Sequence, residues 1–523
     1  MPDHICAKEE LIRRFDAILG KTLEEIDNQS MFNRVQEFNL QKGVVGTLIE
    51  QCVLGYAPDS KQEADLIVVD GTEQIKTELK STGMIVSHEP TDHYVAKEPM
   101  SITAVGVYDI AEQEFWTSHF WNKLEHMLLV YYHYAVDHPV APYEYRTFPI
   151  KGYEFHEFAE DEVAALKQDW EHVHSLVARV VSHHPGPKNK DWKAAVKQEY
   201  IDVHGELRRV LSYIDLAPKF PPRFRLKKPV VSSLISKHFG YQLEQLPGRY
   251  AVISDIDKKC RELTELYRGK TVGELAKQFN IPVATERGLD RKGISEKIAI
   301  AMFGGTSKKL NQIELFSRFG LIAKSIVMTP TGGKTEDMKL FHIDFEETTR
   351  AEVVEENGVV RPITFEDSEL YAYFADHEFL CIIFEEPDKR IKVDDEGNTI
   401  YPPNSLSSNK FIGFKRLVFS DDFIDNTVRK LWEDTRDKIM NGKLVDVIKR
   451  RKDGTVVMIG SGEVSSAPNF LKSSANDVFV RGSGPNASLC HKTEYVNGIR
   501  MLPQYVWIKG TAVIDELRST PEL

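Results

Sequence analysis

Apolar residues recur at helical spacing from Val44 to Leu54, which predicts a helix that carries Glu50. Leu66–Val69 is a compact, mostly β-branched run closed by Asp70-Gly71, a strong turn signal. A second strand is therefore predicted through Ile75–Lys80, in which period-two alternation sets Glu78 and Lys80 on one face. Met127–Tyr132 and Phe379–Phe384 are β-rich apolar runs, while Glu9–Leu19 and Asp257–Arg268 show helical patterns. Near the middle, Phe224 and Leu226 alternate with Arg223, Arg225 and Lys227, the pattern of a half-buried strand with a basic face.

Several of these stretches occur twice and in the same order. Gly20–Ile26 returns as Gly269–Leu275, Lys42-Gly43 as Lys292-Gly293, and Ser118 with Phe120-Trp121 as Ser368 with Leu370-Tyr371. The two apolar runs follow, then Trp170-Glu171 as Trp432-Glu433 inside helices, then Pro222–Lys228 as Pro503–Lys509. Offsets of about 249 to 281 residues in constant order point to an internal duplication. The chain divides accordingly into a unit near 1–240 and a unit near 255–523, joined through His238–Asp257 with its Pro247-Gly248.

Composition narrows the class. The 523 residues exceed one ordinary domain, and 41% hydrophobic with 10% aromatic residues rules out wholesale disorder. No apolar run reaches membrane-spanning length, and the N-terminal residues lack the basic-then-apolar order of a signal peptide. Five scattered cysteines, none spaced CxxC, predict reduced thiols and a cytoplasmic setting. A formal charge of −12 argues against a general nucleic-acid coat protein but leaves room for local basic strands.

Candidate chemistry concentrates in the first copy. Asp65 opens one strand of the predicted hairpin, and Glu78 and Lys80 lie on the next. Two carboxylates hold Mg²⁺ against a phosphate oxygen, and a neighbouring lysine orients water and offsets charge in the transition state. Glu50, reaching in from its helix, suits a second metal or water. Alone, the Glu78-Leu79-Lys80 triplet equally fits an exposed strand edge in a chain that is 28% charged. Two apparent phosphate loops fail, because Gly20-Lys21-Thr22 and Gly333-Lys334-Thr335 have Phe15 and Met328 where the first glycine belongs. His183-His184 and the His119, His126, His133 series lack a carboxylate or cysteine at diagnostic spacing, and read as boundary histidines. Lys449–Lys452 before Asp453-Gly454 reads as a hairpin tip.

The stretch from Lys42-Gly43 through Lys80 resembles the PD-(D/E)xK nuclease core of the MutH family, including its restriction-enzyme branch, and the duplicated layout extends the resemblance over nearly the whole chain. The resemblance implies two tandem α/β domains of restriction-endonuclease fold, each a mixed sheet flanked by helices. It implies Asp65 and Glu78 as the metal pair, Lys80 as the catalytic lysine, Glu50 as a helix carboxylate beside the metal, and Lys123 as a further essential lysine. It also implies Mg²⁺-dependent cleavage of double-stranded DNA at a short sequence such as GATC, leaving 5′-phosphate and 3′-hydroxyl ends, with a cognate methyltransferase in the same system.

The second copy reads as degenerate. Counted from the repeat, Ile300 stands for Glu50, Ile322 for Glu78 and Tyr373 for Lys123; Lys324 matches Lys80, and Glu314 is the acidic candidate for Asp65. An isoleucine cannot ligate Mg²⁺. Arg481 and Asn486, in a glycine-rich turn, are instead candidate base readers. Arg223, Arg225, Lys227, Lys228 and Lys509 complete the candidate DNA-contacting set. The first copy lacks the family's base-reading loop, of which Ala217-Pro218-Lys219 is the nearest remnant, and carries Arg225 where relatives have tyrosine. One active centre per chain predicts transient dimerisation or sequential nicking, with the second copy as a regulatory DNA-binding domain. Two rival readings are a mismatch-repair nickase activated by a partner and a non-catalytic DNA-binding regulator.

Overall fold

The computed structural model describes residues 4–38, 43–56, 64–88, 92–136, 140, 142–217, 220–283, 293–333, 336–354, 360–387, 392–393, 399–400, 406–460 and 462–520. Lys42, Pro218, Lys219, Lys292, Lys334 and Thr335 lie outside them. The chain folds into two compact units. The first comprises 1–256 with 311–320 and 352–361; the second comprises 257–310, 321–351 and 362–523.

The first unit is built on a mixed sheet whose strands run β1 (Ile5–Ala7), β2 (Leu66–Asp70), β3 (Glu73–Ser87), with β4 (His93–Ala96) also on β3. A separate antiparallel sheet begins with β5 (Met100–Ala104), and the mixed sheet continues through β6 (Met127–His133) and β7 (Ile150–His156). β8 (Ile214–Leu216) and β9 (Arg223–Leu226) complete the smaller sheet, in which β9 is the central strand. β6 lies between β3, parallel to it, and β7, antiparallel, and six of its seven residues are buried. That double-sided burial is why its sequence is a continuous apolar run. Gly71, at φ 61°, makes the tight turn between β2 and β3, and Asp70 pairs directly with Glu73. Leu11, Phe15, Leu48, Ile49, Leu66, Val68, Leu128 and Val130 pack into the core on one face of this sheet.

Residues 311–320 belong to the first unit for specific reasons. Arg318 donates to the Tyr213 hydroxyl at 2.7 Å and to the Tyr250 carbonyl at 2.8 Å. Ile253 N–H donates to the Ser212 hydroxyl at 3.0 Å, which also binds the segment before residue 256 to this unit.

The second unit repeats the scaffold. Leu321–Met328 runs parallel to Glu378–Glu385, which pairs antiparallel with Lys410–Leu417. The two copies share an irregularity of register: a bulge follows Tyr131 opposite Gly152 in one, and Ile383 opposite Gly413 in the other. Gly20 N–H donates to the Ile150 carbonyl and Gly269 N–H to the Phe411 carbonyl, each at 2.8 Å. Thr22 with Glu25, and Thr271 with Glu274, form matching capping boxes. Ser118 and Ser368 each cap a helix through the N–H three residues on. Both units are α/β with helices against the sheet. Among the described residues the second has no counterpart of the β1–β2 pair. Where β2 would stand, Glu314–Arg318 is a helix, and it lies in the first unit.

Among the described residues no helix is long and apolar enough to cross a membrane. All five cysteines are free. The Lys449–Lys452 cluster does lie at a hairpin, closed by an Arg450–Val456 bridge and Gly454 at φ 85°.

Candidate active site

The predicted helix over Val44–Leu54 forms as Val44–Leu48 continued by the π-helical turns Ile49–Leu54, with Gly43 as a left-handed N-cap. Glu50 sits in the π-helical part, half-buried. Such wide turns reposition side chains and recur at functional sites. Asp65 immediately precedes β2, whose Leu66 pairs with Thr77, so the hairpin brings Asp65 beside Glu78. The Leu79 N–H donates to Asp65 Oδ2 at 2.8 Å, which fixes that carboxylate against the strand bearing Glu78.

Glu78 is 1% exposed. Its Oε1 accepts from Lys80 Nζ and from Lys123 Nζ, both at 2.8 Å. Its Oε2 is buried and has no partner among the described residues. Lys80 shares the Glu78 face because two residues of strand return to the same side. Lys123 arrives by another route: Ser118 caps the short helix His119–Asn122, and Lys123 ends it just before β6. β6 in turn pairs with β3 in the register Glu78 to Met127. Burial, then the Glu78 charge, pushes the Asp65 carboxyl up to about 6; the Leu79 N–H and the two lysines oppose that rise.

A divalent cation fits these residues. Two adjacent carboxylates, one with a buried oxygen that nothing among the described residues satisfies, form an anionic recess suited to a hard cation that retains several waters. Among the described residues, however, no group of three or more histidine, cysteine or acidic side chains converges to hold a metal. Asp65 and Glu78 are the two carboxylates whose placement suits such a cation, and among the described residues Glu50 forms no three-ligand group with them.

Other predicted residues are placed differently. In β9, Phe224 and Leu226 are buried and the alternating residues half-buried, as the pattern required. Yet Arg225 Nε donates to Asp215 Oδ1 at 2.6 Å, Lys227 Nζ to the Leu211 carbonyl at 2.6 Å, and Arg223 Nε to Ser101 Oγ at 3.0 Å. Arg225 and Lys227 are therefore engaged within the unit, on a strand that is half-buried as its sequence suggested. Lys228 starts the helix Lys228–His238. In the second unit Arg481 is exposed, pairs with Asp337 at 3.0 Å and lies 3.8 Å above the Trp507 ring. The exposed Asn486 accepts from Ser488 N–H, and Lys509 pairs with Asp477 at 3.0 Å. Lys509 N–H bonds the Asp477 carbonyl as Lys227 N–H bonds that of Tyr213, so the geometric match of Lys509 is Lys227 rather than Lys228.

The degenerate copy also yields one correction. The register sets Ile322 opposite Phe379 as Glu78 is opposite Met127, and Ile300 is buried at the position of Glu50. Glu314, though, is no counterpart of Asp65, because it is helical and pairs with Arg318 at 3.3 Å. The histidine pair has a carboxylate partner that spacing did not reveal. Glu199 bonds His183 at 2.7 Å and His184 at 2.6 Å from the next helix. Sequence reasoning also passed over Tyr56 and His4, which stack at 3.8 Å beside Asp65, since neither belongs to a motif.

Residues 54–169 match the family model described as DNA mismatch repair enzyme MutH. That segment includes Asp65, Glu78, Lys80 and Lys123 and begins just after Glu50. The chain is also 21% identical over 458 residues to Type II restriction enzyme Sau3AI of Staphylococcus aureus, covering 86% of this chain and 83% of that protein. With the first match covering the carboxylate–lysine hairpin and the second running through both units, the chain is MutH-like in its first unit and Sau3AI-like along most of its length.

Proposed function

We propose that the chain is a site-specific DNA endonuclease of the type II restriction class, with one active centre formed by Asp65, Glu78, Lys80 and Lys123. The observation that carries this reading is the buried Glu78 carboxylate, one oxygen gripped by two lysines and the other without a partner among the described residues, beside Asp65. The similarity to a type II restriction enzyme over both units supports it.

The cation is Mg²⁺; held by Asp65 and Glu78, it would supply a Lewis acid for the scissile phosphate and lower the pKa of water. The chain's own groups do the rest. Lys123 and Lys80 together fix the Glu78 rotamer and keep its second oxygen directed into the recess. Lys80 places positive charge where negative charge grows on the phosphate oxygens. Asp65 is held against the backbone of Leu79 and needs no reorganisation on binding. Glu50 orients water near the pair. Hydrolysis then leaves 5′-phosphate and 3′-hydroxyl ends.

Recognition of GATC in double-stranded DNA, with a second DNA contact through the exposed Arg481 and Asn486 of the second unit, extends the reading. Arg223, Lys228 and Lys509 supply phosphate contacts, and with one centre per chain both strands are cut by transient dimerisation or in sequence. Methylated and unmethylated plasmid incubated with full-length protein and Mg²⁺, followed by sequencing of the ends, tests this. Discrete ends at one short sequence are expected. Absence of Mg²⁺-dependent cutting would overturn the reading in favour of a DNA-binding regulator, and nicking only after a partner is added would move it to the mismatch-repair type.

A further inference from the structure

Tyr56 takes no part in the chemistry described so far, yet the structure ties it to two of the carboxylate-bearing residues. Gly55, at φ 86°, ends the π-helical turns. Its N–H and that of Tyr56 both donate to the Glu50 carbonyl, at 2.8 and 3.0 Å. Tyr56 therefore leaves the helix with its backbone held on the turn that carries Glu50. Its ring stacks on His4 with centroids 3.8 Å apart and planes 14° apart. His4 Nδ1 is 3.1 Å from the Asp65 carbonyl, a bond in which the ring N–H donates. The backbone of Tyr56 is thus tied to that of Glu50, and its ring, through His4, to the backbone of Asp65.

The hydroxyl is the unexplained group. It is shielded from solvent and has no hydrogen-bond partner among the described residues. Burial, and then the charges of Glu50, Asp65, Cys6 and Glu78, hold its ionisation well above the usual tyrosine range. It therefore stays an O–H donor at any working pH. A buried donor on which three carboxylates act electrostatically would be expected to bond one of them. Leaving it unpaired is costly, and native proteins reserve such groups for water, ions or function.

We propose that Tyr56 is a positioning residue: its hydroxyl hydrogen-bonds a water molecule held between Glu50 and the Asp65–Glu78 pair, within the hydration shell of the divalent cation that the pair binds. The inference rests on reading that pair as a cation site. A two-carboxylate site leaves most of the coordination of Mg²⁺ to water and substrate. Those waters need partners from the protein, and such outer contacts set affinity as well as geometry. The unpaired phenol and the Glu50 carboxylate, which lies outside any three-ligand cage, are suited to that role.

Calorimetric titration of Mg²⁺ into the full-length protein, without DNA, tests this with wild type, Y56F and Y56L, each with its thermal midpoint recorded. Y56F keeps the ring stack and removes only the hydroxyl. It is expected to melt as wild type does, to bind Mg²⁺ roughly tenfold or more weakly, and to lower kcat for DNA cleavage with KM unchanged. Wild-type affinity and kcat in Y56F would overturn the proposal. Impairment of Y56L alone would overturn it too, by making Tyr56 a packing element. If wild type binds Mg²⁺ more tightly than Y56F but neither cuts DNA, the positioning role stands and the nuclease reading falls.

Discussion

Two strands with the same place in their sheets, β3 and Leu321–Met328, keep a lysine at the same register and differ two residues before it. In β3, Lys80 reaches Glu78 at 2.8 Å. In its counterpart, Ile322 packs against the hydrophobic core and Lys324 donates to the Lys339 carbonyl at 3.0 Å. Where Lys123 closes the first site, Tyr373 packs its ring 4.1 Å from Phe341. The bulge, the capping boxes and the pairing of three central strands survive in both units, so neither Glu78 nor Lys123 is needed to make that part of the fold. The carboxylates are instead a cost. Asp65 and Glu78 repel one another in a desolvated recess, a burden that Ile322 removes, and retention of the pair in one copy alone is what the proposed single active centre requires.

That contrast can be broken in several ways. Next to loss of the Glu78 carboxylate itself, the largest effect is expected at the lysines: K80A and K123A should each lower cleavage by roughly 10²–10³-fold, measured as single-turnover rates, while DNA binding persists. A rate close to wild type for K123A would mean that the Glu78 grip is incidental. Conversely, I322E with Y373K in a chain already carrying D65A should give no cutting, because the second unit has no described counterpart of β2 to supply an aspartate.

The pH dependence sharpens the same point. On the proposed reading protons and cation compete for Asp65, whose carboxyl is pushed up to about 6 from an ordinary 3.8. Mg²⁺ affinity in calorimetry should therefore climb as pH rises through about 6 and level off above it. Without metal the sign reverses for stability. A carboxyl whose folded pKa is raised contributes fully below pH ~4, and that stability is lost as pH rises through about 6. D65N should then melt several degrees higher than wild type at pH 8, a gain on the order of 1–3 kcal/mol, and lose the advantage below pH 4. No difference at pH 8 would show that the recess does not strain the pair.

The smallest effects belong to the second unit. R481A should weaken DNA binding by about tenfold or less and flatten its salt dependence by about one unit of slope. K324A should leave cleavage unchanged.

The hairpin was legible because its information is local: a β-branched run, Asp70-Gly71 and period-two alternation fix where Asp65, Glu78 and Lys80 stand. The duplication was legible through cap and turn residues, which fold geometry must conserve in both copies. Lys123 was reached by resemblance alone, since its proximity to Glu78 depends on the β3–β6 register across 45 residues of separation. The ion pair of Arg225 escaped the sequence for a related reason. Its partner Asp215 lies across an antiparallel pair and is invisible to a count of basic residues along one strand. Glu314 misled because offset counting assumes that a strand stays a strand, whereas this segment became a helix of the first unit. Tyr56 carries no signal of its own, and only its orphaned hydroxyl reveals it.

The most direct test is cleavage of plasmid DNA by full-length E78Q in the presence of Mg²⁺, with binding to the same DNA measured in parallel. The account predicts that binding is retained and cleavage falls by three orders of magnitude or more, roughly the loss expected when a catalytic unit is disrupted. Cutting at the wild-type positions and at a comparable rate would contradict it, and would place the active centre outside the first unit's carboxylate–lysine hairpin.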